Sequence, residues 1–272
     1  MIPCISEATT LPSSFAEDVA NFADAGCEAM EVWLPKLEKH LETASAADTK
    51  KLLADRNLRP IAAAYQGGLL LSQGDARKAH FDHFKQRLDL CQAFGIPTLL
   101  VVADFVDPVK DPTSLERAVV SLTQAAQWAQ AFDVRLGLEF RGKNTFCSSL
   151  DTAILLVQQC GEPNVGVVLD VFHFYTGPSK FEDLELLTRD LLAHVQFCDV
   201  SGVPRELMSD GDRVMPGDGD FRLGPIVDHL KAIGYEGGVS LELMNPILWK
   251  AKPLQVVEIG LTSLRKVLGL AD

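Results

Sequence analysis

Eight short β-rich apolar runs alternate with amphipathic helical stretches along 272 residues, and no linker, charge block or low-complexity segment interrupts them. Alternation of this kind marks repeated βα units around a parallel sheet. The length falls in the usual range of a closed barrel of eight such units. The sequence therefore predicts the α/β class and a single (β/α)8 TIM barrel, one domain spanning residues 1–272.

The strands are read at Ile2–Ser6, Ala29–Leu34, Arg59–Ala64, Thr98–Val102, Val134–Phe140, Val165–Asp170, His194–Asp199 and Gly238–Leu243. Each is followed by a helix or a long loop. Ala76–Phe94 sets Phe81, Phe84, Leu88, Cys91 and Phe94 at steps of three and four against lysines, arginines and aspartates, so one helical face covers a strand. Ser114–Phe132 repeats the pattern with Leu115, Ala118, Val119, Leu122, Ala125, Ala126 and Ala129. Asp111-Pro112 and Lys252-Pro253 precede helical stretches, where proline costs little. The long stretch Val200–Asp220, rich in Gly, Pro and Asp, follows the seventh strand, and a barrel loop of that length is usually functional.

Composition narrows the function. No run of about 18 apolar residues is present, so no membrane span is expected. The first residues, Met1 to Glu7, have no basic region followed by an apolar stretch, which points to a cytoplasmic protein. Cys4, Cys27, Cys91, Cys147, Cys160 and Cys198 are scattered without a C-x-x-C pair and read as reduced, structural thiols. A formal net charge of −12 repels a phosphate backbone, so nucleic acid is not expected as a partner. A homo-oligomer is compatible with all of this.

Side-chain parity points to the site. Successive side chains of a barrel strand alternate between the interior and the helix layer. In the fifth strand Leu136, Leu138 and Phe140 share one face, leaving Glu139 on the other. In the sixth, Val165, Val167 and Leu169 face the helices and Asp170 faces in. The seventh puts His194, Gln196 and Cys198 inward, and the eighth puts Glu242 inward between Leu241 and Leu243. Four consecutive strands thus aim an oxygen-bearing side chain into the barrel near its C-terminal end, where barrel enzymes place their chemistry. Three converging carboxylates repel one another unless protonated or neutralised by a cation. One divalent metal held by Glu139, Asp170, Gln196 and Glu242 accounts for them, and an all-oxygen set favours Mn2+ or Mg2+, with Co2+ or Zn2+ as further candidates. His194 points inward too, two residues deeper, and is the competitor to Gln196.

Four motifs, Leu138-Glu139-Phe140, Val167-Val168-Leu169-Asp170-Val171-Phe172-His173-Phe174, Asp212-Arg213-Val214-Met215-Pro216-Gly217-Asp218-Gly219 and Val239-Ser240-Leu241-Glu242-Leu243, occur in that order. The stretch from about Arg135 to Leu268 resembles the xylose-isomerase-like sugar isomerase/epimerase superfamily, and within it most the inosose isomerases. In that family a Glu, an Asp, a His and a second Glu hold the metal, and they fall on Glu139, Asp170, Gln196 and Glu242. Gln196 departs from the usual His and is similar to what bacterial 3-dehydroshikimate dehydratases of the same superfamily carry.

His173 follows Asp170 by three residues and reads as a proton shuttle or hydrogen-bond donor to substrate. Arg213 is a candidate to grip a substrate hydroxyl or carboxylate, and Trp33 to wall off a ring. His40, His80, His83 and His229 fall on surfaces and carry no signal. The resemblance implies a small keto-sugar or cyclitol as substrate and a role in carbohydrate metabolism. The metal would stabilise a cis-enediolate while Glu139 and Glu242 act as the acid/base pair. A lyase on the same metal site, as in 3-dehydroshikimate dehydratase, is the alternative. An endonuclease IV-type enzyme would need a histidine-rich three-zinc site and a DNA-binding face, whereas only His173 and His194 lie near the mouth here and the net charge is wrong, and a non-catalytic sugar-binding barrel needs no intact ligand set. Specificity is expected from first-half loops such as Tyr65–Gly68 and Asp104–Asp107.

Overall fold

The computed structural model describes residues 1–104 and 111–270, so residues 105–107 of the expected specificity loop lie outside the described residues. The strands are β1 (Ile2–Ser6), β2 (Ala29–Trp33), β3 (Arg59–Gln66), β4 (Thr98–Val102), β5 (Arg135–Glu139), β6 (Val165–Asp170), β7 (Leu192–Phe197), β8 (Asp199–Val200), β9 (Arg213–Val214) and β10 (Gly238–Leu241). The helices are α1 (Phe15–Asp24), α2 (Leu34–Leu41), α3 (Ala46–Asp55), α4 (Gly74–Phe94), α5 (Ser114–Gln130), α6 (Leu150–Cys160), α7 (Val171–Thr176), α8 (Leu223–Ala232) and α9 (Pro253–Leu268). Eight strands close into a parallel barrel in the order β1-β10-β7-β6-β5-β4-β3-β2, the (β/α)8 architecture that the sequence predicts.

Five strands differ in their bounds from the sequence reading. β2 ends at Trp33, β3 continues to Gln66, β5 spans Arg135–Glu139, β7 starts at Leu192 and ends at Phe197, and β10 ends at Leu241. Asp199 opens the antiparallel pair β8–β9 instead, because its carboxylate accepts the amides of Val200, Gly217 and Phe221 at 2.9, 3.0 and 2.9 Å. The stretch after β7 therefore contains a small hairpin rather than a plain loop. Among the described residues no helix is long and apolar enough to cross a membrane. All six cysteines are free and buried, and burial pushes the Cys27 and Cys91 thiols up to about 12, so they stay protonated at neutral pH.

The chain divides into two compact units, Ala63–His194 and Met1–Ala62 with Val195–Asp272. In the first, β4 pairs with β5 and β5 with β6 in continuous register, which aligns Val102 with Glu139 and Glu139 with Val168. Gly137 makes room inside this sheet: a Cβ there would lie 2.7 Å from Val168 Cγ2. The apolar face of α4 buries Phe81, Phe84, Leu88, Cys91 and Phe94 as its period requires. Each fully buried side chain of this size stabilises by about 1.5–3 kcal/mol. The helix stops at Gly95, whose left-handed φ of 67° closes the last turn.

In the second unit β1 is registered with β10 and β10 with β7, stacking Cys4, Ser240 and Gln196 in one layer, with Cys4 Sγ 3.1 Å from Ser240 Oγ. One step further, Ser6 pairs with Glu31 of β2. Ser14 and Glu17 form a capping box on α1, and Pro253 starts α9 at its first turn. Beneath α1 and α2, Glu7, Asp18 and Lys36 form a buried charge cluster. Lys36 Nζ donates to Asp18 Oδ2 at 2.5 Å and to the carbonyls of Thr10 and Glu7 at 2.7 and 3.1 Å. Burial, together with the charge of Asp18, pushes the Glu7 carboxyl well above the usual range, against the opposing pull of Lys36.

A carboxyl whose folded pKa is raised contributes stability while protonated; that contribution is full below the unfolded value and is lost as pH rises through the folded one. Gln copies the shape of the protonated form without titrating. Glu7→Gln should therefore gain in melting temperature relative to wild type as pH rises above about 4.3. Thermal unfolding across a pH series checks this, and a difference constant with pH would refute it.

Candidate metal centre

The first set of site residues stands at the ends of β5 and β6. Glu139 closes β5, and Asp170 closes β6 while capping α7, its Oδ1 accepting the Phe172 amide at 2.7 Å. Strand passes into helix without a loop, so His173 stands in the first turn of α7 and returns over the strand end. Its Nε2 lies 3.3 Å from Glu139 Oε1 and 3.7 Å from Asp170 Oδ2. The three side chains are buried and offer ligand atoms within 4.8 Å of one another, close enough to share a metal ion. His173 Nδ1 is buried without a hydrogen-bond partner. The sequence treats His173 as a substrate-side group, and the structure adds that it joins Glu139 and Asp170 in one cluster.

A second set gathers in the other unit. Gln196 Nε2 donates to Glu31 Oε1 at 3.0 Å and to Glu242 Oε1 at 3.1 Å. Glu31 also accepts from Ser6 Oγ at 2.8 Å. With its nitrogen between two carboxylates, the amide has one sensible orientation, since the reverse would set its oxygen against them. Gln196 Oε1 is then a buried acceptor with no partner, a group that normally costs stability unless something satisfies it.

Arg213, on β9, is almost wholly buried. Its Nη1 donates to Glu242 Oε2 at 3.0 Å, and its Nη2 and Nε donate to Asp210 Oδ1 at 2.7 and 3.2 Å. A free, solvated loop charge is thereby ruled out. Asn245 Nδ2 holds the Arg213 carbonyl at 2.9 Å, and the Asp199-centred hairpin carries the arginine. Trp33 ends β2; its amide donates to Glu7 Oε2 at 2.8 Å and its ring borders a cavity of about 530 Å³ with Phe15, Pro35, Lys36 and His40. His194 is buried.

Three residues enter this geometry that the sequence reading misses. Glu31 carries a usable signal, an acid alternating with Met30 and Val32 in a strand. Ser6 and Asp210 carry none, since a strand-end serine and a loop aspartate are common everywhere.

The charges bear on what the centre accepts. In the first unit Glu139 and Asp170 are buried acids beside His173; in the other Glu31 and Glu242 are buried acids, and Arg213 pairs with Glu242. Buried carboxylates in excess call for a cation. The unpartnered Gln196 oxygen is the kind of neutral donor that a divalent ion would satisfy.

The closed barrel and its acidic strand ends have a family. The chain belongs to the xylose isomerase-like TIM barrel family, whose profile matches residues 19–267, and the resemblance drawn from the four motifs holds. It is 28% identical over 253 residues to an inosose isomerase of Halalkalibacterium halodurans, covering 89% of this chain and 88% of that protein. It is 25% identical over 247 residues to a 3-dehydroshikimate dehydratase of Pseudomonas aeruginosa, covering 90% of this chain and 38% of that longer protein. A crystal structure of IOLI protein with a binding zinc atom superposes with a TM-score of 0.94 at 24% identity, covering 99% of this chain and 98% of that one, a likeness of fold.

Proposed function

We propose that this chain is a divalent-metal-dependent isomerase or epimerase of a small polyhydroxy ketone, a keto-sugar or an inosose. Glu139, Asp170, Gln196 and Glu242 would hold one ion. The observation that carries this reading is the Gln196 amide, locked by two carboxylates with its oxygen left unpartnered. The relative named inosose isomerase supports the substrate class. Oxygen donors favour Mn2+ or Mg2+; a nitrogen from His173 would bring Co2+ or Zn2+ into range, and zinc is the ion in the IOLI structure.

When bound, the ion would supply Lewis-acid stabilisation of negative charge developing at the ketone oxygen. The chain's own residues handle the proton and the orientation. Glu242 is gripped on both oxygens, Oε1 by Gln196 and Oε2 by Arg213, which fixes the orientation of the carboxylate. Glu139, in contact with His173, is the second carboxyl able to carry a proton. One takes the proton from the carbon beside the ketone. Its return to the neighbouring carbon isomerises, and its return to the opposite face epimerises. Arg213 and His173 offer hydrogen bonds to the substrate oxygens that gain charge.

Gln196 in place of histidine, with the dehydratase relative, favours one second reading: loss of a β-hydroxyl from the same enolate. Proton NMR in D2O separates the two, with solvent deuterium at a carbon of a retained skeleton for the isomerase and an alkene signal for the lyase.

Glu242→Gln keeps a neutral oxygen but cannot accept a proton. Its rate of α-proton exchange at saturating metal should fall by at least about 100-fold, further than its metal affinity falls. Near-wild-type exchange would reduce Glu242 to a ligand. Glu31 bears on the proposed ligand set through Gln196, whose Nε2 donates to it. Glu31→Gln gives the amide a second permissible orientation, so metal affinity by calorimetry should drop by about tenfold, the order of a disturbed outer-shell contact, with melting temperature preserved. Unchanged affinity would remove Gln196 from the ligand set.

A further inference from the structure

The compact unit Ala63–His194 contains a cavity of about 650 Å³ that the chemistry described so far does not use. It opens where the C-terminal ends of β3, β4 and β5 meet α4. Val102, on its wall, is registered with Glu139, and Arg141, also on its wall, lies two residues beyond Glu139. The cavity wall therefore includes the strand neighbour of Glu139, one of the two carboxyls of the proposed acid/base pair. Its volume falls in the range that encloses a small ligand.

Its lining runs against the character of the chain. The protein carries a formal net charge of −12, yet among the described residues Arg87, Arg141, His80 and His83 line this cavity with a single acid, Asp104. Asp104 is already engaged: its oxygens accept the amides of Gly68 and Leu71 at 2.8 and 2.6 Å and fold the loop after β3. Arg87 is buried, and its Nη1 is fixed on the Tyr65 carbonyl at 2.5 Å, which holds its charge at the cavity wall. Arg141 is half-buried, and its guanidinium makes no hydrogen bond or ion pair with any described residue. A guanidinium in a cleft without a partner is suited to bidentate recognition of a planar or tetrahedral oxyanion.

We propose that this cavity is an anion subsite of the substrate site, in which Arg141, backed by Arg87, grips a carboxylate or phosphate substituent of the polyhydroxy substrate. The inference deepens the isomerase reading, on which it rests for the substrate skeleton, by adding a charged group to it. It draws the residues that select the substrate from the stretch of chain between β3 and the loop after β5.

Binding without turnover tests it. The full chain, freed of metal, is titrated by calorimetry with glucose, glucuronate and glucose 6-phosphate, which share a ring and differ in one substituent. At least one anion should bind tenfold or more tighter than glucose, and the gap should shrink with salt; which anion wins tells carboxylate from phosphate. Arg141→Gln should abolish the preference and Arg141→Lys should keep part of it, with unfolding temperatures confirming that both variants fold. Equal binding of the three sugars, or a preference that survives Arg141→Gln, would overturn the subsite. Because no turnover is involved, that result leaves the isomerase reading standing, while an anion preference without α-proton exchange in D2O would sink the isomerase reading alone.

Discussion

One amide holds the polar interior of the Gln196 side together. Glu31 and Glu242 are buried acids, and Gln196 Nε2 gives one hydrogen to each. Without it, two carboxylates would face each other across a low-dielectric space, an arrangement costing several kcal/mol. Everything around it follows the same requirement. Ser6 supplies a further donor to Glu31, and Arg213 supplies a full positive charge to Glu242. Cys4 and Ser240, in register with Gln196, are small and weakly polar, and the charged groups stand at the strand ends, where barrel architecture leaves room for a ligand.

Arg213 reaches this network only because the chain after β7 folds back. Asp199 gathers three amides from Val200, Gly217 and Phe221, and that single side chain sets the start of β8, the return of β9 and hence the depth at which the guanidinium enters. Asp210 then balances the outer side of Arg213 while Glu242 balances the inner side. A buried arginine with two carboxylate partners is rigid, so it positions Glu242 as well as neutralising it.

The barrel and four strand-end oxygens are legible in the sequence through two periods. The period of two isolates Glu139, Asp170, Gln196 and Glu242 from apolar neighbours, and the structure brings Glu139 to Asp170 and Gln196 to Glu242 within their respective units. Glu31 obeys the same alternation in β2 and is legible in principle. Arg87 is not: on α4 it reads as one more cation of a solvated face, and its burial depends on the Tyr65 carbonyl, 22 residues earlier in the chain. His80 and His83 read as surface groups for the same reason, since a helix pattern shows which face is polar but not which loop closes over it. Asp199 reads as part of the seventh strand because its three amide contacts are made by residues a sequence pattern cannot bring together.

The departure at Gln196 from the histidine of the family pattern has its physical reason in these contacts. An imidazole that ligates through one nitrogen has one N–H left to donate. A carboxamide that ligates through oxygen has two. With acids on both sides, Glu31 on β2 and Glu242 after β10, the amide gives a hydrogen to each and leaves its oxygen as the atom that would ligate in the proposed site. A ligating histidine there would donate to one of the two carboxylates and not to both, leaving Glu31 to Ser6 or Glu242 to Arg213, so Glu31 and Gln196 are matched in their hydrogen bonding. The harder oxygen donor follows from that pairing, and in the proposed ligand set it would favour the ions that oxygen prefers.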